Sequence, residues 1–220
     1  MNRTIKIGKI STSRIELIDI TKAWIIISLA FAFYYSRKSL QRGNLLEIFS
    51  MEFFTYFIIS LFTAGLGFLL HELGHKFVAQ HYGAAAEFRS FDQMLYGALG
   101  LAAAIGVIFA APGAVFISGQ ITRKENGIIS AAGPLINFGL GIVFFMFMVF
   151  YGNVSPFLTK LFEIGFGVNL FLGLFNMIPI GFFDGRKIFQ WQPIIWGLMV
   201  AFGVIFLFLS SINFWFFLDY

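Results

Sequence analysis

Cysteine is absent from the 220 residues, which excludes disulfides and thiolate metal ligands and leaves the redox compartment unread. Charge is scarce, with Asp, Glu, Lys and Arg together making 12% of the chain. Histidine occurs three times, too few for the histidine-rich di-iron sites of membrane desaturases and hydroxylases. No basic cluster is interleaved with aromatics and the net charge is a modest +4, so the balance fits loops near anionic headgroups and no nucleic-acid partner. Repeats and low-complexity linkers are also missing. What fills the chain instead is apolar: 59% hydrophobic residues, 32 of them Phe, with a mean hydropathy of +0.84. That composition belongs to an all-α polytopic membrane protein embedded in a lipid bilayer, with residues 1–220 forming one domain.

The amino-terminal stretch is polar enough to exclude the apolar core of a signal peptide. Ile5, Ile7 and Ile10, set among Arg3, Lys6, Lys9 and Arg14, read as a surface strand and turn. Uncharged runs then cover Ala23 to Ser36, Phe53 to Leu70, Met94 to Gln120, Asn126 to Thr159, Ile164 to Phe183 and Ile188 to Leu218. The first is short for a span. Trp24, Trp191, Trp196 and Trp215 flank these runs and read as interfacial anchors. Five to six transmembrane helices are predicted, depending on the 94–120 segment.

The second run leads into His71-Glu72-Leu73-Gly74-His75. Residues four apart lie about 40° apart around a helix, so His71 and His75 can present imidazoles to one ion with Glu72 alongside. Two imidazoles and a carboxylate suit zinc, with a fourth position open to water and Glu72 placed as general base. Charged and imidazole groups at membrane depth are costly without a role, which favours a metal over chance occurrence.

A third ligand must come from His81 or a carboxylate. His81 lies on another face of the same helix. Asp184 stands out among the acids because it ends a hydrophobic run beside Gly185; the alternative is a loop acid paired with Arg186 or Lys187. If residues 94–120 crossed completely, Asp184 would emerge on the face opposite His71 and His75. Gly97, Gly100, Gly106, Pro112 and Gly113 interrupt that segment, and an Ala-Ala-Pro-Gly turn divides a helical half from the β-prone Ala114 to Ile117. A re-entrant or β-hairpin element around residues 94–120 is therefore predicted. It also improves the charge asymmetry: with five spans, eleven Lys and Arg fall on the inner side and four on the outer, which puts the site toward the cytoplasmic face.

The ordered set of HELGH, Ala131-Ala132-Gly133-Pro134-Leu135-Ile136-Asn137, Asn169 and the Asn176 to Gly185 segment resembles the site-2 proteases, the intramembrane zinc metalloproteases, over residues 65 to 190. The resemblance implies Zn2+ held by His71, His75 and Asp184, with Glu72 as the catalytic glutamate and Asn176 near the metal as an oxyanion donor. Asn137 matches the family asparagine of the Ala-Gly-Pro segment, for which helix packing or substrate contact are both open. Gly181 and Phe182 stand where the family commonly has prolines. The likeness further implies transmembrane-helix protein substrates, regulated intramembrane proteolysis, a multi-pass plasma-membrane location and a minimal core without a regulatory domain. Asn169 lies two turns before Asn176 and either lines the site or bonds between helices, and Glu163 reads as a charge at a helix start. A non-catalytic binder of transmembrane partners, or a transporter with a structural metal, is the competing class; it gives no reason for a base at Glu72.

Overall fold

The computed structural model describes residues 4–7, 10–40, 50–108, 113–152 and 154–217, with the backbone alone for 4–7, 10, 37–40 and 209–217. Strands β1 (Thr4–Ile7) and β2 (Ile10–Ser13) form an antiparallel hairpin, Thr4 opposite Ser13. Helix α1 (Arg14–Leu40) follows at once. It begins well before the uncharged run predicted from Ala23, because the polar residues of its first turns have partners. Lys22 pairs with Asp19 at 3.3 Å and with Asp92, and Glu16 is enclosed completely.

The second span is one continuous rod. Helix α2 (Met51–Ser60), capped by the Ser50 hydroxyl on Phe53 N–H, runs through a π-helical turn (Leu61–Gly65) into α3 (Leu66–His81). The π turn frees the Leu61 carbonyl, which accepts from the Trp24 indole at 2.9 Å. Gly65 allows the approach, since a Cβ there would lie 2.3 Å from Ser28 Oγ. Trp24 is thus an internal strut between spans. Trp196 has a similar place, its indole donating to the Met177 carbonyl at 2.8 Å, and Trp191 packs over Gly127. These contacts give Trp24, Trp191 and Trp196 packing roles in addition to the anchoring read from sequence; Trp215 lies outside the described side chains.

Residues 94–120 do not cross. Strand β3 (Ala85–Ser90) leads to α4 (Asp92–Ile105) and strand β4 (Gly113–Ser118), which returns antiparallel on β3 with Phe88 opposite Val115. At 1.5 Å per residue α4 is about 21 Å long, short of a hydrocarbon core of about 30 Å. Gly106 ends it at φ +66°, the left-handed stop that glycine favours. The Ala110 to Pro112 part of the predicted turn lies outside the described residues.

Helix α5 (Arg123–Tyr151) starts with a capping box between Thr122 and Glu125. Helix α6 (Pro156–Asn176) starts earlier than predicted, with Ser155 as cap and Pro156 in its first turn. Glu163 therefore sits two turns inside α6, three residues after Lys160, and the helix-start reading is corrected. Pro179 and Gly181, at φ +61°, keep 177–183 non-helical, so Asp184 opens a short helix α7 (Asp184–Trp191) instead of ending a span. Pro193 then separates α7 from α8 (Pro193–Phe217), dividing what reads in sequence as one run. Four helices are long and apolar enough to cross a membrane: Arg14–Ser36, Met51–His81, Arg123–Tyr151 and Pro156–Asn176. With the apolar α8, and only two small hairpins among the described residues, the fold is all-α and polytopic.

One buried ion pair ties this frame together. Lys76 Nζ of α3 donates to Glu16 Oε2 of α1 at 2.7 Å, with the two residues 2% and 0% exposed. Glu16 Oε2 also accepts from Thr12 Oγ1 at 2.7 Å, and Oε1 from the Phe88 backbone of β3 at 2.9 Å. Gln80, one turn on, bridges β2 and β3 by donating to the Ser11 and Ala86 carbonyls at 2.9 and 3.0 Å. Breaking a buried pair from one side leaves an uncompensated charge, at a cost of about 3–5 kcal/mol. Glu16→Ala should lower the unfolding temperature in detergent more than Lys76→Met does, because it orphans both Lys76 and the Phe88 N–H; equal shifts would contradict the shared role of the carboxylate.

Candidate metal centre

Helix α3 supplies two imidazoles one turn apart, and α7 supplies the acid. His71 Nε2 and His75 Nε2 lie 3.3 and 3.1 Å from the same oxygen, Asp184 Oδ2. The three residues are buried, and their ligand atoms all fall within 4.8 Å of one another. The α7 N-terminus reaches this depth because Gly185 passes close under the Met177 carbonyl, where a Cβ would stand 2.1 Å away. The histidines lie inside the 31-residue span Met51–His81, ten residues before its end in the case of His71. His81, the last residue of α3, is exposed and meets the Tyr82 ring edge-on.

The tautomers follow from the partners. His75 Nδ1 is 2.8 Å from the Ile129 carbonyl, which only accepts, so Nδ1 carries the proton. His71 Nδ1 faces Asn137 Oδ1 at 2.6 Å, and a chain of bonds fixes the asparagine. Asn169 Nδ2 donates to the Gly165 carbonyl at 2.8 Å, its Oδ1 accepts from Asn137 Nδ2 at 3.1 Å, and Asn137 Nδ2 also donates to the Gly67 carbonyl at 3.2 Å. Asn137 Oδ1 is left to accept, so His71 Nδ1 donates. Both Nε2 lone pairs then point, with a carboxylate oxygen, at one volume.

Three acceptors converging without a donor call for a cation. A dication placed there would keep the buried Asp184 carboxylate ionised against the cost of its desolvation. Space is kept as well. A Cβ on Gly133 of α5 would stand 2.5 Å from both Nε2 atoms, so only glycine leaves the imidazole faces clear. Nitrogen and oxygen donors without thiolate, buried and sterically reserved, fit zinc.

Glu72 is half-buried beside this cluster, within electrostatic reach of His75, His71 and Asp184, and its carboxylate accepts a hydrogen bond from the Val115 backbone of β4. The register explains why that amide is free. Phe88 N–H points away from β4 to Glu16, so Phe88 and Val115 are a non-hydrogen-bonded pair whose N–H and C=O groups face outward. Ala86 and Ile117, two residues along, share this orientation, and Ala86 O accepts from Gln80. The outer edge of β4 is therefore turned toward Glu72, and among the described residues no strand pairs with it.

The sequence-predicted residues thus divide. His71, Glu72, His75 and Asp184 come together. Asn137 braces a histidine, a role outside the alternatives read for it from sequence, and Asn169 bonds between helices. Asn176 ends α6 half-buried, its amide donating to the Leu172 carbonyl at 2.9 Å, and no described hydrogen bond links it to the cluster. Val115, Ile129 and the closeness of Gly133 were not read from sequence; a backbone donor, a backbone acceptor and a missing side chain leave no chemical signature there.

No family model and no solved structure matches the chain. Two curated proteins of Methanocaldococcus jannaschii are similar to it. One, provisionally named a zinc metalloprotease, is 40% identical over 188 residues, covering 85% of this chain and 90% of the relative. The other, named a zinc metalloprotease, is 31% identical over 125 residues, covering 56% of this chain and 30% of its own longer length. With a buried His-His-Asp group that could hold the metal and 40% identity running through most of this chain and of the first relative, the chain belongs to a family of zinc metalloproteases.

Proposed function

We propose that the protein is an intramembrane zinc endopeptidase of the site-2 protease type, cleaving transmembrane segments of membrane proteins, in the plasma membrane with its site toward the cytoplasmic side. The observation that carries this is the convergence of His71, His75 and Asp184 on one point inside apolar spans, with Glu72 alongside. His71, His75 and Asp184 are the ligands. Zinc bound there supplies a Lewis acid that polarises a carbonyl and brings the pKa of water to about 7. Glu72 takes the proton and returns it to the leaving amine, while the Val115 amide holds its carboxylate in place. Asn137 and the Ile129 carbonyl keep the imidazoles turned inward. Asn176 keeps one amide hydrogen beyond its bond to Leu172 and is assigned as the oxyanion donor.

A helical substrate has its carbonyls bonded internally and must be drawn out before attack. The outer edge of β4 offers the Val115 carbonyl and the Ile117 N–H and carbonyl to an extended chain, which takes position by strand addition next to Glu72.

Glu72→Gln should retain zinc and lose turnover by at least about a hundredfold, whereas Asp184→Asn should lose zinc, both followed by metal analysis and cleavage of a reconstituted single-span reporter. Unimpaired turnover in Glu72→Gln would remove the assignment. Asn137→Ala should weaken zinc binding about 10–100-fold in chelator competition, and Gly133→Ala should lower zinc content through steric contact with both imidazoles. Ile117→Pro deletes an outward N–H that the β3–β4 pairing does not use; it should reduce kcat/KM with zinc content intact.

A further inference from the structure

Beside the outer edge of β4 lies a groove of about 400 Å³. Val115, Ile117 and Ile121 give it an apolar wall, Asn126 adds an amide, and Arg123 and Lys187 bring two cations from different helices, the starts of α5 and α7. No carboxylate lines it. Among the described residues neither Arg123 nor Lys187 forms an ion pair: the neighbouring acid Glu125 is engaged with Thr122, and Asp184 is turned to His71 and His75. The groove is continuous with the edge that carries the Val115 amide to Glu72, so whatever occupies it lies alongside the proposed reaction centre.

Resting on the strand-addition reading above, we infer that this groove recognises an acidic side chain, Asp or Glu, in the extended substrate segment next to the cleavage point. The occupant is a peptide. The alternating outward donors and acceptors of Val115 and Ile117 match a strand, and an anionic lipid headgroup has no such series to offer. Charge complementarity supplies the selectivity. Cytoplasmic flanks of membrane helices are commonly rich in Lys and Arg, and such a flank brought here meets two like charges, whereas an acid meets two opposite ones. Arg123 and Lys187 would thereby restrict cleavage to the minority of helices with an acid at this position.

The test uses the 220-residue protein in vesicles of neutral lipid, with and without a fraction of anionic lipid, and single-span reporters that differ at one position of the extended segment: Asp, Asn or Lys. The Asp reporter should exceed the Lys reporter about tenfold in kcat/KM, and Arg123→Glu/Lys187→Glu should invert the order, with zinc content confirming that the variant folds. Affinity of the same reporters for Glu72→Gln protein, read by fluorescence, separates recognition from chemistry. An Asp preference in binding without cleavage by the wild type keeps this inference and removes the protease reading. Equal rates and affinities for the three reporters, with cleavage retained, overturn the inference alone. It is overturned equally if the preference follows the anionic lipid content of the vesicle and not the reporter's charge.

Discussion

The carboxylate of Glu16 is the constraint on which the site depends. It is fully enclosed, yet it accepts from three places at once: the Lys76 ammonium on the motif helix, the Thr12 hydroxyl and the backbone amide of Phe88. A buried charge is tolerable when every lone pair has a donor, and meeting that requirement here locks α1, α3 and the β3–β4 hairpin in one arrangement. Lys76 follows His75 directly, so the same node fixes the metal helix. Phe88 commits its N–H outward, so the node also decides which face of β4 looks at Glu72. Register and site geometry have a common origin.

The second layer of the site is made of groups that do no chemistry. The Asn137–Asn169 pair reads as a chain in which each amide is oriented by the next, ending at the Gly165 carbonyl. Its effect is to aim one lone pair of one imidazole. Small residues have an equal share: Gly133 clears the space before both Nε2 atoms, and Gly74 admits Ile136 where a Cβ would stand 2.5 Å away. Close helix approach in a bilayer relies on such positions, since lipid provides no hydrophobic drive between helices.

Much of this was legible from the residues alone. HELGH spacing places two ligands because helix geometry is fixed, and the common-depth argument for Asp184 required residues 94–120 to turn back, as β4 does on β3. The span boundaries were less legible. Hydropathy finds where charge is absent, whereas a helix can carry charge that tertiary partners absorb, as Arg14 to Lys22 of α1 does. Ile164 to Phe183 and Ile188 to Leu218 each read as uniform runs, but Pro179, Gly181 and Pro193 set the breaks that bring Asp184 to its depth. Glu163 was misplaced for the same reason, since Ser155 and Pro156 start α6 two turns earlier. What sequence could not show is the use of backbone groups: the Ile129 carbonyl and the Val115 amide act without any side-chain signal.

The irregular segments gather around the site, and satisfaction of their backbone explains how an apolar medium tolerates them. The π turn gives its carbonyl to Trp24, Met177 gives its own to Trp196, and Ile129 accepts from His75. Non-helical backbone at membrane depth persists where protein or a wet cavity supplies partners. The outer edge of β4 is the exception: Val115 N–H has Glu72, while the carbonyl beside it and the polar groups of Ile117 border the groove. An edge left open beside Glu72 is costly in a bilayer unless water or an extended chain fills it. In the proposed reading the fold separates two tasks, with α3 and α7 supplying the ligands, α5 bracing the imidazoles and β4 presenting the place for a peptide, and the Val115–Glu72 hydrogen bond is where the two meet.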